Sequence, residues 1–397
     1  MDWFPRETFL APAGLEEFEY EVETRLPLTV IQKFNLDGIE RFDNLPEDNP
    51  PESPSSGAPS EASTRDFWKR FMSSPLFQYK AEDRKSRLPS GLCIFFCPRA
   101  DNVFETIPSE LSDLCITKKQ WQEIATKFCL YNLLVKAIRQ KLTSITVTSH
   151  KLSPQEPYDE TSDTLQMYTV NTSVPSGQNF ALSATHFENA NLTLAVVLGA
   201  TPRQVDKVDD LLGNAQEAIG HPLLMLGLTA ELMLDLLTDP VESMRDRCVK
   251  MIRKSQEMLS ITGRKGTEYA LQVEAIRSES QWLDEAVKTT KQNLVKALEA
   301  YCPGREENCN DKDEEVTACA ESGSTKRGNT VSGDDASSRR ERNKDYVEQK
   351  MKMRFHDIFL QLDALITVTR ISVQDMSSMS TTVNITRTSL RPAYVAL

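Results

Sequence analysis

The sequence predicts an α+β or α/β protein, an N-terminal α/β domain followed by long antiparallel stalk helices, and three observations carry that expectation. Five short, weakly charged runs suited to a pleated, half-buried surface fall at 92–97, 144–148, 165–172, 180–187 and 192–198. Helix-opening signals stand between and after them, the clearest at Thr201-Pro202-Arg203-Gln204. A seven-residue apolar repeat then governs 239–301 and returns over 339–386.

Taken in order, residues 1–42 mix acids with scattered aromatics and predict no defined domain, beyond a peripheral strand at 26–34. The segment 43–64 is rich in Pro, Ser and acids without one basic residue, the composition of a solvated, disordered linker. An α/β domain over 65–238 follows. Its first stretch, 66–87, interleaves aromatic and basic residues. That pattern admits contact with a phosphate-bearing strand, but it is met more simply by Phe67, Trp68 and Phe71 docking on the domain. Residues 92–97 (LCIFFC) form the first buried strand, with Cys93 and Cys97 packing as small apolar residues. A capping box at Thr117-Lys118-Lys119-Gln120 opens a helix whose Trp121, Ile124, Phe128, Tyr131, Val135, Ile138 and Leu142 make one continuous apolar face.

The organising stretch is 180–237. At its centre Thr201 caps, Pro202 takes the first helical position where its missing N–H costs nothing, and Gln204 closes the box. Gly220 supplies a left-handed stop, and His221-Pro222 opens a helix carrying Leu223, Leu224, Leu226, Leu228, Leu232, Leu236 and Leu237. So apolar a helix belongs in the core. Asp239-Pro240-Val241-Glu242 reads as a further helix start. From there stalk helices over 239–301 place Val241, Met244, Cys248, Met251, Ser255 and Met258, then Tyr269, Val273, Ile276, Ser280, Leu283, Val287, Thr290, Leu294, Ala297 and Tyr301, along one seam. An acidic, low-complexity loop at 302–338 separates them from a last long helix over 339–386, where Met351, Phe355, Ile358, Leu362, Leu365, Thr369, Ser372, Met376, Met379 and Val383 continue the repeat. Ser and Thr at seam positions favour an intramolecular bundle or a regulated assembly over a very stable coiled coil.

Composition narrows the function. Forty-six Lys and Arg against 58 Asp and Glu give a net charge of −12, which argues against nucleic acid or an anionic membrane as a default partner. The N-terminus has acids and prolines where a secretory signal needs a basic start and an apolar run, so eight scattered cysteines read as reduced thiols of a cytoplasmic protein. The most apolar helix is too short to span a bilayer and carries Glu231 and Asp235, expected to pair with Arg245 or Arg247. There is no G-x-S-x-G, P-loop, H-E-x-x-H or G-x-G-x-x-G, and none of His150, His186, His221 and His356 has a suggestive acid or nucleophile beside it. The expectation is a non-enzymatic protein. Cys302, Cys309 and Cys319 lack the paired spacing of a zinc site. His221 invites a ligand reading but is met more simply by a hydrogen bond at the start of its helix. Asp206, Asp209 and Asp210 share one helical face and are the candidate ligands for Mg2+, a hard cation that takes oxygen donors and keeps waters. The competing reading is a solvated acidic first turn favoured by the helix dipole.

Ala181-Leu182-Ser183, Thr185-His186-Phe187, Leu198-Gly199, His221-Pro222-Leu223-Leu224 and Ala230-Glu231-Leu232, with the heptad helices after them, resemble the cytosolic part of the fungal CorA-like magnesium transporter family over roughly 90–385. That resemblance implies an α/β domain feeding a long stalk helix that runs into two membrane helices with a Gly-Met-Asn loop, self-association through the stalk, and acidic residues between subunits that sense magnesium. The sequence departs from it in having no Gly-Met-Asn and no apolar span after Val383, so membrane association requires spans missing from this chain. The alternative is a cytosolic helical scaffold for protein partners with no ion role.

Overall fold

The structure, a computed structural model, describes residues 19–20, 29–34, 38–43, 71, 90–98, 113–114, 116–130, 133–134, 138, 143–151, 164–172, 179–188, 190–258, 264–301 and 335–395. The strands are β1 (Glu19–Tyr20), β2 (Thr29–Phe34), β3 (Gly38–Asp43), β4 (Gly91–Cys97), β5 (Asp113–Leu114), β6 (Ser144–Lys151), β7 (Thr164–Asn171), β8 (Ala181–Phe187) and β9 (Leu192–Leu198). The helices are α1 (Lys118–Lys127), α2 (Pro202–Asn214), α3 (Leu223–Met258), α4 (Arg264–Tyr301) and α5 (Asp335–Val395), with a 3-10 turn at Gln216–Ala218.

Seven strands form one mixed sheet in the order β3-β2-β4-β9-β8-β7-β6. After β4 the chain crosses to the far edge and meanders back through β6, β7, β8 and β9, so that β9 lies parallel to β4 while every other pairing is antiparallel. All residues of β4, β8 and β9 are buried, as a sheet covered on both faces requires. The side-chain period of two divides them. Leu92, Ile94, Phe96, Leu182, Ala184, Ala195 and Val197 pack under α2 and α3. On the other face, Cys93, Phe95, Cys97, Leu194 and Val196 pack with Phe71 and with Trp121 and Ile124 of α1. Phe71, Phe95 and Phe128 form a ring cluster with centroids 5.8–6.5 Å apart. The result is helix, sheet, helix.

Four local expectations are corrected. The strand predicted at 26–34 is not peripheral: β2 lies between β3 and β4, with Val30 and Ile31 fully buried, so part of the segment left undefined belongs to the sheet. The helix opened at Thr117 has its capping box, but it stops at Lys127. Phe128 caps it, and Cys129 turns left-handed at φ 50, so no single face runs on to Leu142. Tyr131, Val135 and Leu142 lie outside the described residues.

The start read at Pro240 is the interior of α3, which continues unbroken through the proline for 36 residues. A proline there removes a helical hydrogen bond and costs about 3 kcal/mol in an isolated helix. Here it is outweighed by packing on both sides, with Leu236 and Leu237 before it and Val241 and Met244 after it buried in the same core. The fourth correction concerns Glu231 and Asp235 and is taken up with the site.

The stalk is a three-helix bundle made by one chain. Its α4 returns antiparallel to α3, where Tyr269 donates to the Met251 carbonyl at 3.0 Å and Arg247 pairs with Glu279. Its α5 runs antiparallel to α4, in a register fixed by Lys291–Asp363 at 2.6 Å, Thr369 to Asp284 at 3.0 Å and Ser380 to Glu274 at 3.4 Å. It is parallel to α3, and the absent side chain of Gly227 leaves room for Met351. The predicted seam is buried from Val241 to Met251, from Tyr269 to Ala297 and at Met351, Phe355, Ile358, Leu362, Thr369, Ser372 and Met376. Leu365, Met379 and Val383 pack against it partly buried. The side chain of Met258 lies outside the described residues, as do Cys302, Cys309 and Cys319. Among the described residues no helix is long and apolar enough to cross a membrane.

Candidate functional site

Three helices meet where the sheet layer hands over to the stalk, and the candidate acids lie beside that junction. The capping box of α2 is complete: Thr201 accepts from the Gln204 backbone, and Gln204 accepts from the Thr201 backbone at 2.8 Å. This fixes the helix with Gln204, Val205, Val208 and Leu212 inward. The opposite side carries Asp206 and Asp210, exposed, and Asp209, half-buried. With Pro202 as the first helical residue, the first turn has no acid, so the dipole reading of these aspartates fails. Among the described residues no group of three or more His, Cys, Asp or Glu side chains stands close enough to hold a metal ion. Within one chain, therefore, Asp206, Asp209 and Asp210 are not drawn together into a cage.

The charges that do converge are Glu231 and Asp235 of α3, Lys207 of α2 and Arg354 of α5. Lys207 bonds Asp235 and lies 4.0 Å from Glu231, while Arg354 bonds Glu231 through Nε. Glu231 is 6% exposed and is the most buried acid of the junction. The expected pairing with Arg245 or Arg247 is overturned, since those residues sit farther along α3 and pair with Asp246 and Glu279. A second pair, Lys350 to Glu217 at 2.8 Å, ties α5 to the 3-10 turn before α3, and that carboxylate raises the lysine's pKa. Sequence reasoning found Glu231 and Asp235 but not their cations. Arg354 lies 123 residues from Glu231, a separation no local periodicity can bridge.

Two of the histidines, His221 and His186, are structural groups, and the side chain of His150 lies outside the described residues. His221 Nδ1 accepts from the Leu223 N–H at 3.2 Å, so the ring caps the start of α3. His186 Nδ1 stands 2.9 Å from Thr193 Oγ1, both buried on the sheet face beneath α3. In the same row Gln166 donates to Glu188 at 2.7 Å and accepts from Tyr168 at 2.8 Å. This buried polar row went unseen in the sequence because its members sit on three different strands. His356 is exposed on α5. Burial raises the Cys93 thiol far above its ordinary range and pushes Cys129 up to about 11, so neither is a ready nucleophile. No protein-family model and no curated protein matches this chain.

Proposed function

We propose that this chain is the sheet-and-stalk portion of a CorA-like divalent-cation transporter, with magnesium as the cation. The observation that carries the reading is α5. It is one 61-residue helix, roughly 90 Å long, that starts against the sheet-side helices through Lys350 and Arg354 and then runs the whole length of the bundle. An α/β layer feeding such a helix is the arrangement that the sequence resemblance implies. In this reading the Glu231–Arg354 contact couples the sheet layer to the stalk. Self-association is supported by Tyr346, Met353 and Leu360, exposed at seven-residue steps on the outer side of α5. A Mg2+ ion then takes its oxygens from Asp206, Asp209 and Asp210 of one copy together with a neighbouring copy, because one chain does not close the site.

Titration calorimetry and sedimentation in millimolar Mg2+ test this. Magnesium binding with a rise in mass is expected, both lost in Asp206→Asn/Asp209→Asn/Asp210→Asn. No heat and no change in mass overturn the sensing reading. Transport additionally requires transcripts that encode two apolar spans and Gly-Met-Asn in frame after Leu397. The same exposed row on α5 favours, as second reading, a scaffold that holds a partner helix. Association that is indifferent to Mg2+ but abolished by Met353→Ser/Leu360→Ser selects it.

A further inference from the structure

The two edges of the sheet differ in chemistry. At one end β3 carries Glu40, Arg41 and Asp43, and charges on an edge strand discourage a further strand from pairing there. At the other end β6 reads Ser-Ile-Thr-Val-Thr-Ser from 144 to 149, with no charge, proline or glycine. Among the described residues its neighbour in the sheet is β7 alone. An antiparallel strand turns alternate N–H and C=O groups to either side, so a strand paired on one side presents a row of backbone donors and acceptors on the other. Whereas β4, β8 and β9 are buried throughout, residues 144–148 are half-buried and Ser149 is exposed. The strand is held in place from one side: α4 packs against it, and Asn293 donates to the Thr143 carbonyl at 3.2 Å just before it.

Pairing with β7 fixes which side chains of β6 share a face. Ile145 and Val147 stand opposite Val170 and Tyr168 and pack against the core that the sheet shares with α3 and α4. Thr146 and Thr148 stand opposite Thr169 and Met167 on the other face. Thr148 Oγ1 is shielded from solvent and has no hydrogen-bond partner among the described residues, a cost that a neighbouring hydroxyl would remove.

One antiparallel register of this strand with a copy of itself suits all of these residues. Centred on Thr146, it sets Thr146 against Thr146 of the copy, Ile145 against Val147, and Ser144 against Thr148. A two-fold axis perpendicular to the sheet keeps each face beside the same face of the copy. Apolar β-branched side chains then meet their like and hydroxyls meet hydroxyls, which are the cross-strand pairs that stabilise antiparallel strands. Any other register loses the match of Ile145 with Val147, and a slip of one residue opposes Ile145 to Thr148.

We infer that the free edge of β6 is a docking edge for β6 of a second copy of this chain, joining two seven-stranded sheets into one about a two-fold axis at Thr146. A second copy is the occupant because the edge is complementary to itself in that register and carries no charge between 144 and 149 to repel its own copy. The inference stands apart from the transporter reading, which places association on α5 and makes it depend on magnesium.

Sedimentation of the full chain over a wide range of concentration, without added magnesium, tests it. A reversible dimer is expected. Thr146 meets its own copy, so Thr146→Lys and Thr146→Glu each oppose like charges and should weaken dimerisation about tenfold or more. An equimolar mixture of the two variants should restore the dimer, because lysine then meets glutamate. Circular dichroism checks that each variant folds. Met353→Ser/Leu360→Ser should leave the dimer intact. A monomer at every concentration, a dimer that neither charge weakens, or a mixture that stays monomeric overturns the inference. So does a dimer lost in Met353→Ser/Leu360→Ser and kept in Thr146→Lys, which assigns association to α5.

Discussion

The sheet layer and the bundle are both helix-covered cores, but they are filled differently. In the sheet, every position of β4, β8 and β9 is buried, and its polar members are held by specific partners, such as Thr185 on the Cys129 carbonyl at 3.0 Å and His186 on Thr193. In the bundle, beyond the start of α3 where Leu223 to Leu234 are all buried, each helix buries only a stripe, and Ser280, Thr290, Thr369 and Ser372 occupy it. Several of those hydroxyls fall back on their own helix: Ser280 donates to the Ile276 carbonyl at 2.8 Å, and Ser372 to Val368 at 3.0 Å. Such bonds satisfy the oxygen within one helix, and the links between helices are fewer: Thr369 reaches Asp284 at 3.0 Å and Ser280 stands 4.0 Å from the Cys248 sulfur. The sheet is therefore a rigid platform and the bundle an adjustable one, a difference that single substitutions can break or sharpen.

The largest effect belongs to the platform. Phe95 is fully buried between Phe71 and Phe128, so Phe95→Ala should cost about 3–5 kcal/mol in chemical denaturation. A loss below about 1 kcal/mol would mean that this face collapses freely. Gly220 comes next. Its φ is +87, and an added Cβ would meet the Asn191 carbonyl oxygen at 2.9 Å, backbone that cannot swing aside. Gly220→Ala should cost about 2 kcal/mol or more, read from the same denaturation curves. At the junction, Glu231→Ala strips Arg354 and Lys207 of a buried partner. Because Arg354 is half-exposed, water can take over much of the lost solvation, and the cost should fall to about 1–2 kcal/mol. Hydrogen exchange should then quicken in α5 around Lys350–Arg354 and stay unchanged in β4. In the bundle, Ser280→Ala should be neutral or stabilising by about 0.5 kcal/mol, since the freed carbonyl keeps its helical N–H. A loss above about 1 kcal/mol would show that the contact of Ser280 with the Cys248 sulfur, 4.0 Å away on α3, holds the two helices together.

These differences track what the sequence made legible. The seam was readable from Val241 to Met376 because a helix repeats its buried face every few residues, and β4, β8 and β9 were readable as short uncharged runs buried on both faces. What escaped was non-local. The place of β2 inside the sheet depends on pairing with β4, about 60 residues away, and its Gln32 and Lys33 disguise it. Pro240 carries the local signature of a helix start, but packing on both sides of it prevails. The acids of α2 were correctly placed on one face, whereas the ion cluster next to them needed Arg354, brought in by the return of α5. Periodicity reports which side of an element is buried. It does not report what lies against that side.

The smallest effect tests the adjustable region through pH. Glu274 of α4 accepts two hydrogen bonds from Arg277 and one from Ser380 of α5, and the guanidinium holds its carboxyl below the ordinary value near 4.5. A depressed folded pKa means the contribution is present above that ordinary value and disappears as pH falls through the lowered one. The pair is exposed, so solvent screens it and the change in melting temperature will be slight. Its sign is nonetheless definite. Wild type should melt above Glu274→Gln at pH 6, and the two should converge as pH falls through the lowered carboxyl pKa. A gap that stays constant with pH down to the acid unfolding limit would assign the effect to packing against Ser380 instead of charge, and the bundle would then be less adjustable than its hydroxyl-lined seam implies.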